Sequence, residues 1–448
     1  MSGSIPTHLH PHPRRDSAPK RLLSKLLKRN REGVNVAPGD LDDGWVTPEP
    51  VTLADGSQVQ LYKDGEALKR AYDAAAQAQS RICYEFYIWD DDATGRAFAE
   101  LLLKKAREGV NVYVLYDSFG ALGKNDRSMF RKLRAAGARV AEFHPIRPWE
   151  TAFGWRPYSR DHRKLIVVDE QFAGVGGLNI ADPYAGGWVA PNELKPAELW
   201  RDTGIGVSGP ATRMFLTSFI RTWNYVHKGG RIVRAMYEGN LNVPRSPKGF
   251  RVGKAKDTDP PPPSIIAPDT LGVLATVPTL SSPLRPLLHD LIRGAKHSLR
   301  MTMAYFAPDD QLIRELCEAS NRGVKVRLMF GAKSDLPIMV TAARAFYDRL
   351  LCANVEIYER QFVILHAKTL TVDDDISLVG STNLDFRSIE FNLEIGAVVR
   401  SGAFAAQLNA LFDHDMRYAK QIHHAEWRKR TWSDRLIQWG VSRLRYLL

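Results

Sequence analysis

The sequence predicts an α/β protein of two duplicated domains, each a mostly parallel sheet flanked by helices. Three observations predict it. The stretch "DHRKLIVVDEQFAGVGGLN", residues 161–179, returns as "LHAKTLTVDDDISLVGSTN", residues 365–383, with His, Lys, Asp, a pair of small residues and Asn at identical spacing. The segments 81–117 and 298–331 each read as a buried strand, a turn, an amphipathic helix and a second buried strand. Between the halves, "VPRSPKGFRVGKAKDTDPPPPSIIAPD" runs into four consecutive prolines, which neither a helix nor a central strand holds.

The elements follow in order along the chain. Residues 1–57 form a tail, and within it "KRLLSKLLKRNR" places Leu22, Leu23, Leu26 and Leu27 on one helical arc and Arg21, Lys25, Lys28 and Arg29 on the other. The first domain, 58–242, opens its repeat with the helix "GEALKRAYDAAAQAQ"; the second, 270–425, opens with "SSPLRPLLHDLIRGAKH". In each, "REGVNVYVLYD" and "NRGVKVRLMFG" put Gly109 and Gly323 where a helix ends before a strand. Strand, helix and strand in alternation imply parallel pairing, because the crossover returns the chain to the same edge. The linker is 243–269, and 426–448 is a basic, Trp-rich C-terminal segment.

Composition narrows the partners. At 448 residues the chain is about three times the ~150-residue single-domain prior, and its formal charge of +12 favours an anionic partner: nucleic acid, acidic lipid or a phosphorylated substrate. Cys83, Cys317 and Cys352 are odd in number and sit in apolar runs, as core thiols in a reducing compartment do. No stretch approaches the ~18–20 uninterrupted apolar residues of a membrane span, and "MSGSIPTHLHPHPRR" lacks the apolar core of a secretory signal. Any membrane contact is therefore expected to be peripheral. His8, His10 and His12 lie in a Pro-interrupted tail, and His423 and His424 read as a helix surface.

The repeated phrase carries chemistry. Residues two apart in a strand share a face, so His162 with Lys164, and His366 with Lys368, project side by side. An imidazole can attack or protonate and an ammonium can neutralise a non-bridging oxygen, which suits a phosphodiester. Gly176-Gly177 and Gly380-Ser381 permit close approach of backbone or substrate, and Asn179 and Asn383 add amide donors for phosphate. One such phrase reads as a solvated strand edge. Two in register do not, because duplication of a fold gives no structural reason to keep exposed His, Lys and Asn in both copies.

The phrases resemble the paired HxKx(4)D motifs of the phospholipase D superfamily. With "LWRDTGIGVSGP", "RMTMAYFAPDDQLIREL", "RQFVILHAK" and "NLDFRSIEFNLEIGAVV", the likeness narrows to bacterial cardiolipin synthases of the shorter kind, without N-terminal transmembrane helices, over roughly residues 58–435. The resemblance implies two phospholipase D-like domains related by a pseudo-twofold axis, with the active site between them. It implies His162 as nucleophile, forming a phosphatidyl-histidine, and His366 as general acid and base. It also implies Asp202 of "WRD" and Glu394 of "NLE" as the carboxylates that orient the histidines, Asp202 for His162 and Glu394 for His366. Asp202 lies forty residues beyond His162 and Glu394 only twenty-eight beyond His366, so the first half carries an insertion, "DPYAGGWVAPNELKPAE". The motif residues Asp169 and Asp373 are expected to brace loops away from substrate. No metal and no cofactor is implied, since Lys164, Lys368 and the asparagines supply the positive charge.

A nuclease would carry the same motifs and charge. The terminal segments favour lipid: the helix at 20–31 has the pattern of one lying on an anionic membrane surface, and the C-terminal segment combines Trp427, Trp432 and Trp439 with leucines and arginines, although Arg443 falls on its apolar side. The loop "HPIRPWETAFGWRPYSR" has no counterpart in the second half and is expected at a lipid entrance. The expected reaction is phosphatidyl transfer between two phosphatidylglycerol molecules, at the cytoplasmic face of the bacterial inner membrane, with no nucleic-acid partner. A hydrolytic phospholipase D, a nucleic-acid phosphodiesterase and a catalytically silent lipid-binding scaffold are the alternatives.

Overall fold

The computed structural model describes residues 44–121, 128–146, 158–189, 198–227, 267–276 and 283–443. The tail helix at 20–31, the tail histidines, most of the 144–160 loop and all but the last three residues of the 243–269 linker lie outside them.

Two eight-stranded sheets share a seven-strand order, with the eighth strand at opposite edges, Val51–Thr52 in the first and Ala419–Ile422 in the second. The first runs Val51–Thr52, Gln58–Lys63, Thr203–Ser208, Phe172–Gly176, Lys164–Val168, Arg81–Phe86, Asn111–Asp117, Arg139–Phe143. The second runs Thr270–Ala275, Ile395–Arg400, Ile376–Gly380, Lys368–Val372, Ser298–Met303, Lys325–Gly331, Glu356–Arg360, Ala419–Ile422. The duplicated α/β architecture is as expected, but the sheets are mixed and not mostly parallel. Arg81–Phe86, Asn111–Asp117 and Arg139–Phe143 pair in parallel, as do their counterparts Ser298–Met303, Lys325–Gly331 and Glu356–Arg360; the other joins of both sheets are antiparallel. Connection length explains part of the difference. A helix crossover returns the chain in parallel, and one antiparallel join of each half is a short hairpin after the motif strand, which only antiparallel partners can share; the remaining antiparallel joins are made through longer connections.

Those hairpins are tight, with positive φ at Asp169 and Glu170 in one half and at Asp373 and Asp374 in the other. Gly109 and Gly323 follow their helices at φ 88° and 95°, the left-handed conformation that favours glycine at a helix end. The helices Ala93–Arg107 and Asp310–Asn321 start alike, with Asp92 and Asp309 accepting from the backbone N–H groups of Gly95 and Leu312 at 2.8 Å.

The halves share one core. Leu165, Val167, Val175 and Ile205 from the first sheet pack with Val379, Ile395, Ala397 and Val399 from the second, closed by Phe215 and Phe404 of the helices Thr212–His227 and Gly402–Met416. The sheets thus meet face to face. Each half also lends backbone to the other: Trp200–Arg201 pairs in parallel with Ile364–Leu365, and Asp161 bridges to Leu393. Among the described residues no helix is long and apolar enough to cross a membrane. Cys83 is a core thiol, but Cys317 is half-buried and Cys352 is exposed, because their helices turn those positions outward from the apolar runs.

Candidate active site

The reciprocal backbone exchange sets the site. His162 donates its N–H to the carbonyl of Leu393 at 2.9 Å, and His366 donates to the carbonyl of Arg201 at 2.7 Å. Each histidine is thereby stitched to the residue just before a carboxylate of the opposite half. The consequence is a crossed pairing: Nδ1 of His162 lies 3.1 Å from both oxygens of Glu394, and Nδ1 of His366 lies 2.7 Å from Oδ2 of Asp202. Asp202 does not serve His162, nor Glu394 His366, as the order along the chain suggests. Distance along the chain within one half carries no information about strands exchanged between halves.

Both imidazoles are engaged through Nδ1, which leaves Nε2 as the reactive nitrogen. Lys164 donates to the carbonyl of His162 at 2.6 Å, and Lys368 contacts both the carbonyl and Nδ1 of His366, the latter at 2.8 Å. Burial and electrostatics then work against the positive charges. Burial pushes His162 well below the usual imidazole value, with Lys164 and Lys368 adding to it. His366 is also lowered by burial and by Lys368, while Asp202 pulls it back up. Burial brings Lys164 down to about 7 and Lys368 down to about 8, against the pull of Glu394 and Asp202. Glu394 is pushed up to about 7 by burial, against Lys164 and the Ser381 hydroxyl. An anionic ligand beside the two lysines would favour their protonated forms.

Of the two expectations for the small pairs, close approach of backbone is the one met. A Cβ on Gly176 would lie 2.5 Å from the carbonyl oxygen of Thr203, and one on Gly380 would lie 2.5 Å from that of Ile395. Gly176 is paired with Gly204 and Gly380 with Gly396. These glycines admit a neighbouring strand, not substrate. One step on, a Cβ on Gly177 would sit 2.2 Å from Oδ1 of Asp202, whereas Ser381 keeps its side chain and donates its hydroxyl to Glu394.

Asn179 is buried, with Oδ1 accepting from Ile88 N–H at 3.1 Å and Nδ2 donating to the Tyr184 hydroxyl at 3.0 Å, so its second Nδ2 hydrogen is what remains for a ligand. Asn383 is buried too, and its Oδ1 has no hydrogen-bond partner among the described residues. Asp169 and Asp373 stand at the far ends of the motif strands. Asp169 accepts from the N–H groups of Gln79, Ser80 and Arg81 and from the Ser80 hydroxyl; Asp373 accepts from those of Lys296, His297 and Ser298.

The sequence of both halves matches a known family. The family described as "Cardiolipin synthase, PLD-like domain" covers residues 72–185 and 288–416, one match in each half. The chain belongs to that family. A cardiolipin synthase of Geobacillus thermodenitrificans is 31% identical over 400 residues, 88% of this chain and 72% of the relative. Cardiolipin synthase A of Pseudomonas putida is 32% identical over 376 residues, 82% of this chain and 70% of the relative. The crystal structure of a phosphatidylserine synthase from Haemophilus influenzae Rd KW20 superposes with a TM-score of 0.64, covering 92% of this chain and 100% of that one at 14% identity, a likeness of fold.

Within this family fold, several groups around the histidines were not anticipated. Tyr87 packs on His162 at 5.1 Å between ring centroids, and Tyr184 and Trp200 pack on His366 at 5.3 and 5.4 Å. Tyr305 stands 6.5 Å from His366 and donates to Asp335 at 2.7 Å. Tyr87 and Tyr305 follow the corresponding strands Arg81–Phe86 and Ser298–Met303 but one position out of register, Tyr87 corresponding to Ala304 and Tyr305 to Ile88, so the repeat did not mark them. Arg163, between the motif His and Lys, is buried and spans the halves, contacting Glu85, the Thr276 carbonyl and the Glu394 carbonyl. Its counterpart is Ala367, so no repeated letter marked it.

Proposed function

We propose that the chain transfers a phosphatidyl group from one phosphatidylglycerol to the primary hydroxyl of another, giving cardiolipin and glycerol. The observation that carries the proposal is the pair of facing histidines, each held through Nδ1 by the other half's carboxylate, with two lysines of lowered proton affinity between them. In-line displacement at phosphorus needs a nucleophile on one side and an acid on the other, and two equivalent half-sites supply both.

In this reading Nε2 of His162 attacks phosphorus, and the bond from phosphorus to the glycerol oxygen breaks. His366 gives its Nε2 proton to that oxygen, and glycerol leaves. A second phosphatidylglycerol then gives its hydroxyl proton to His366 while its oxygen attacks phosphorus, the P–N bond breaks and His162 is regenerated. The strongly lowered proton affinity of His162 suits a nucleophile that must be neutral, and the upward pull of Asp202 on His366 suits the group that carries a proton. Lys164, Lys368, Asn179 and Asn383 face the non-bridging oxygens. Asp202 and Glu394 fix the tautomers.

The protein is proposed to act peripherally, at the cytoplasmic face of the membrane, on an anionic lipid surface. Purified protein incubated with phosphatidylglycerol vesicles is expected to yield cardiolipin and glycerol by mass spectrometry, undiminished by a chelator. Phosphatidic acid as the dominant product would replace transfer by hydrolysis. Cleavage of nucleic acid without lipid turnover would overturn the lipid reading.

A further inference from the structure

The C-terminal helix Trp432–Arg443 is folded inside out. Its inner side, against the helix Pro337–Arg344, is largely polar: buried Gln438 accepts from Arg430 Nε at 3.1 Å, and Asp434 faces Arg344 electrostatically. Its outer side carries Trp432, Leu436 and Trp439 at spacings of four and three, exposed by 77%, 56% and 58%, with Ile437 exposed beside them. A helix stabilised only by its own domain would bury the tryptophans and expose the glutamine.

We propose that this outward face is a docking surface for an anionic phospholipid bilayer, placed to deliver the lipid headgroup to the His366 side of the site. It rests on the lipid reading above and names the surface that reading requires. Two further observations select a bilayer as the occupant. The helix lies beside the catalytic cleft: the helix Pro337–Arg344 on which it packs begins after exposed Leu336, which follows Asp335, the acceptor of the hydroxyl of Tyr305, and the Tyr305 ring stands 6.5 Å from His366. It is also rimmed by cations. Exposed Arg428, Lys429, Arg435 and Arg443 outnumber the two carboxylates of the segment, Glu426 and Asp434. The guanidinium of Arg443, on the apolar side, lies over the Trp439 ring at 5.3 Å, so a cation and a tryptophan stand together on the outward side. Tryptophan backed by arginine is the chemistry of a headgroup boundary.

The test uses the full chain with Trp432→Ser, Leu436→Ser and Trp439→Ser together, all exposed positions. Sedimentation with vesicles of equal phosphatidylglycerol and phosphatidylcholine is measured beside turnover of long-chain phosphatidylglycerol in those vesicles and of dihexanoyl phosphatidylglycerol in solution. Vesicle partitioning and long-chain turnover are each expected to fall at least about tenfold, with dihexanoyl turnover within about twofold of the parent. Unchanged partitioning would overturn the proposal, and if the substitutions convert a dimer to a monomer at the same time, the face belongs to a second copy of the chain. Because sedimentation is read without turnover, a parent that binds vesicles but makes no cardiolipin would sink the catalytic reading and leave the docking surface standing.

Discussion

The crossed dyads make a prediction that separates them from dyads closed within each half. Replacing Asp202 by Asn keeps the shape of the side chain and removes the charge beside His366. With Nδ1 and Oδ2 2.7 Å apart, the charge centres of carboxylate and imidazolium are roughly 4 Å apart. At an effective dielectric of ~20 their attraction is about 4 kcal/mol. Losing it from the step in which His366 holds a proton lowers the rate roughly 10³-fold. Glu394→Gln is expected to cost less, about 10²-fold, because the contact is longer at 3.1 Å and Glu394, pushed up to about 7, is partly protonated at neutral pH.

The assay is pre-steady-state release of p-nitrophenol from a short-chain phosphatidyl-p-nitrophenol, whose leaving group departs without a proton. His162→Ala and His366→Ala calibrate it: the nucleophile's loss removes the burst, the acid-base group's loss keeps the burst and slows turnover. Asp202→Asn is expected to follow the His366 variant and Glu394→Gln the His162 variant. That correspondence holds whichever histidine attacks. An Asp202→Asn enzyme that behaves as the His162 variant does would refute the crossed pairing.

Gly177→Ser forces a Cβ to within 2.2 Å of Oδ1 of Asp202 and is expected to lower kcat more than 100-fold, whereas Ser381→Gly removes one hydrogen bond to Glu394 and lowers it about tenfold; equal losses would contradict the different space at the two positions. Asp169→Ala is expected to cost roughly 2–3 kcal/mol in denaturant unfolding at neutral pH, with kcat within about threefold, because the carboxylate closes a turn and touches no site group. Burial raises the Asp169 carboxyl, but the hydrogen bonds from Gln79, Arg81 and Ser80 outweigh it and hold it below the usual range, so this contribution is lost as pH falls through the folded value and parent and variant converge in acid. Tungstate as a competitive inhibitor is expected to bind more weakly as pH rises: Lys164 and Lys368 lose their protons near 7 and 8 in the free site, and an anion must restore them, so an inhibition constant that stays flat from about pH 6.5 to 9 would contradict the lowered lysines.

Legibility in the sequence tracked locality. The duplication, the glycines at 109 and 323 and the strand-helix-strand units follow from residues within a few positions of one another, and all of them appear in the structure. The sheet's antiparallel majority was hidden because a buried strand reads the same in either direction, and only the shortness of the 169–171 and 373–375 turns distinguishes them. The site was half legible. His162, Lys164, His366 and Lys368 announce themselves by repetition, as do the bracing aspartates. Asp202 and Glu394 were named as the orienting carboxylates, but which serves which histidine was not legible, since Arg201 reaches Leu365 and Asp161 reaches Leu393 only through folding across the halves. The inverted polarity of the C-terminal helix was partly visible: Arg443 looked like a flaw in the apolar side, and its place over Trp439 makes it part of that side.

Duplication accounts for the frame of the site, and divergence at two positions accounts for its asymmetry. Both halves need glycine at 176 and 380, where strands pair with Gly204 and Gly396 and no side chain fits. At the next position the halves part. The short carboxylate Asp202 occupies the space a side chain on Gly177 would fill, accepts the Thr203 N–H at 2.7 Å and reaches His366 at 2.7 Å through one oxygen. The longer Glu394 stands back, leaves room for Ser381, accepts its hydroxyl and spreads both oxygens before His162 at 3.1 Å. A carboxylate shared with a serine and raised toward neutrality stabilises an imidazolium less than one committed to a single short contact. On the proposed reaction, this difference in one methylene, compensated by one hydroxyl, favours the proton on His366 over His162. Two copies of one half-site would thereby differ in the sense that the proposed attack by His162 and protonation by His366 require.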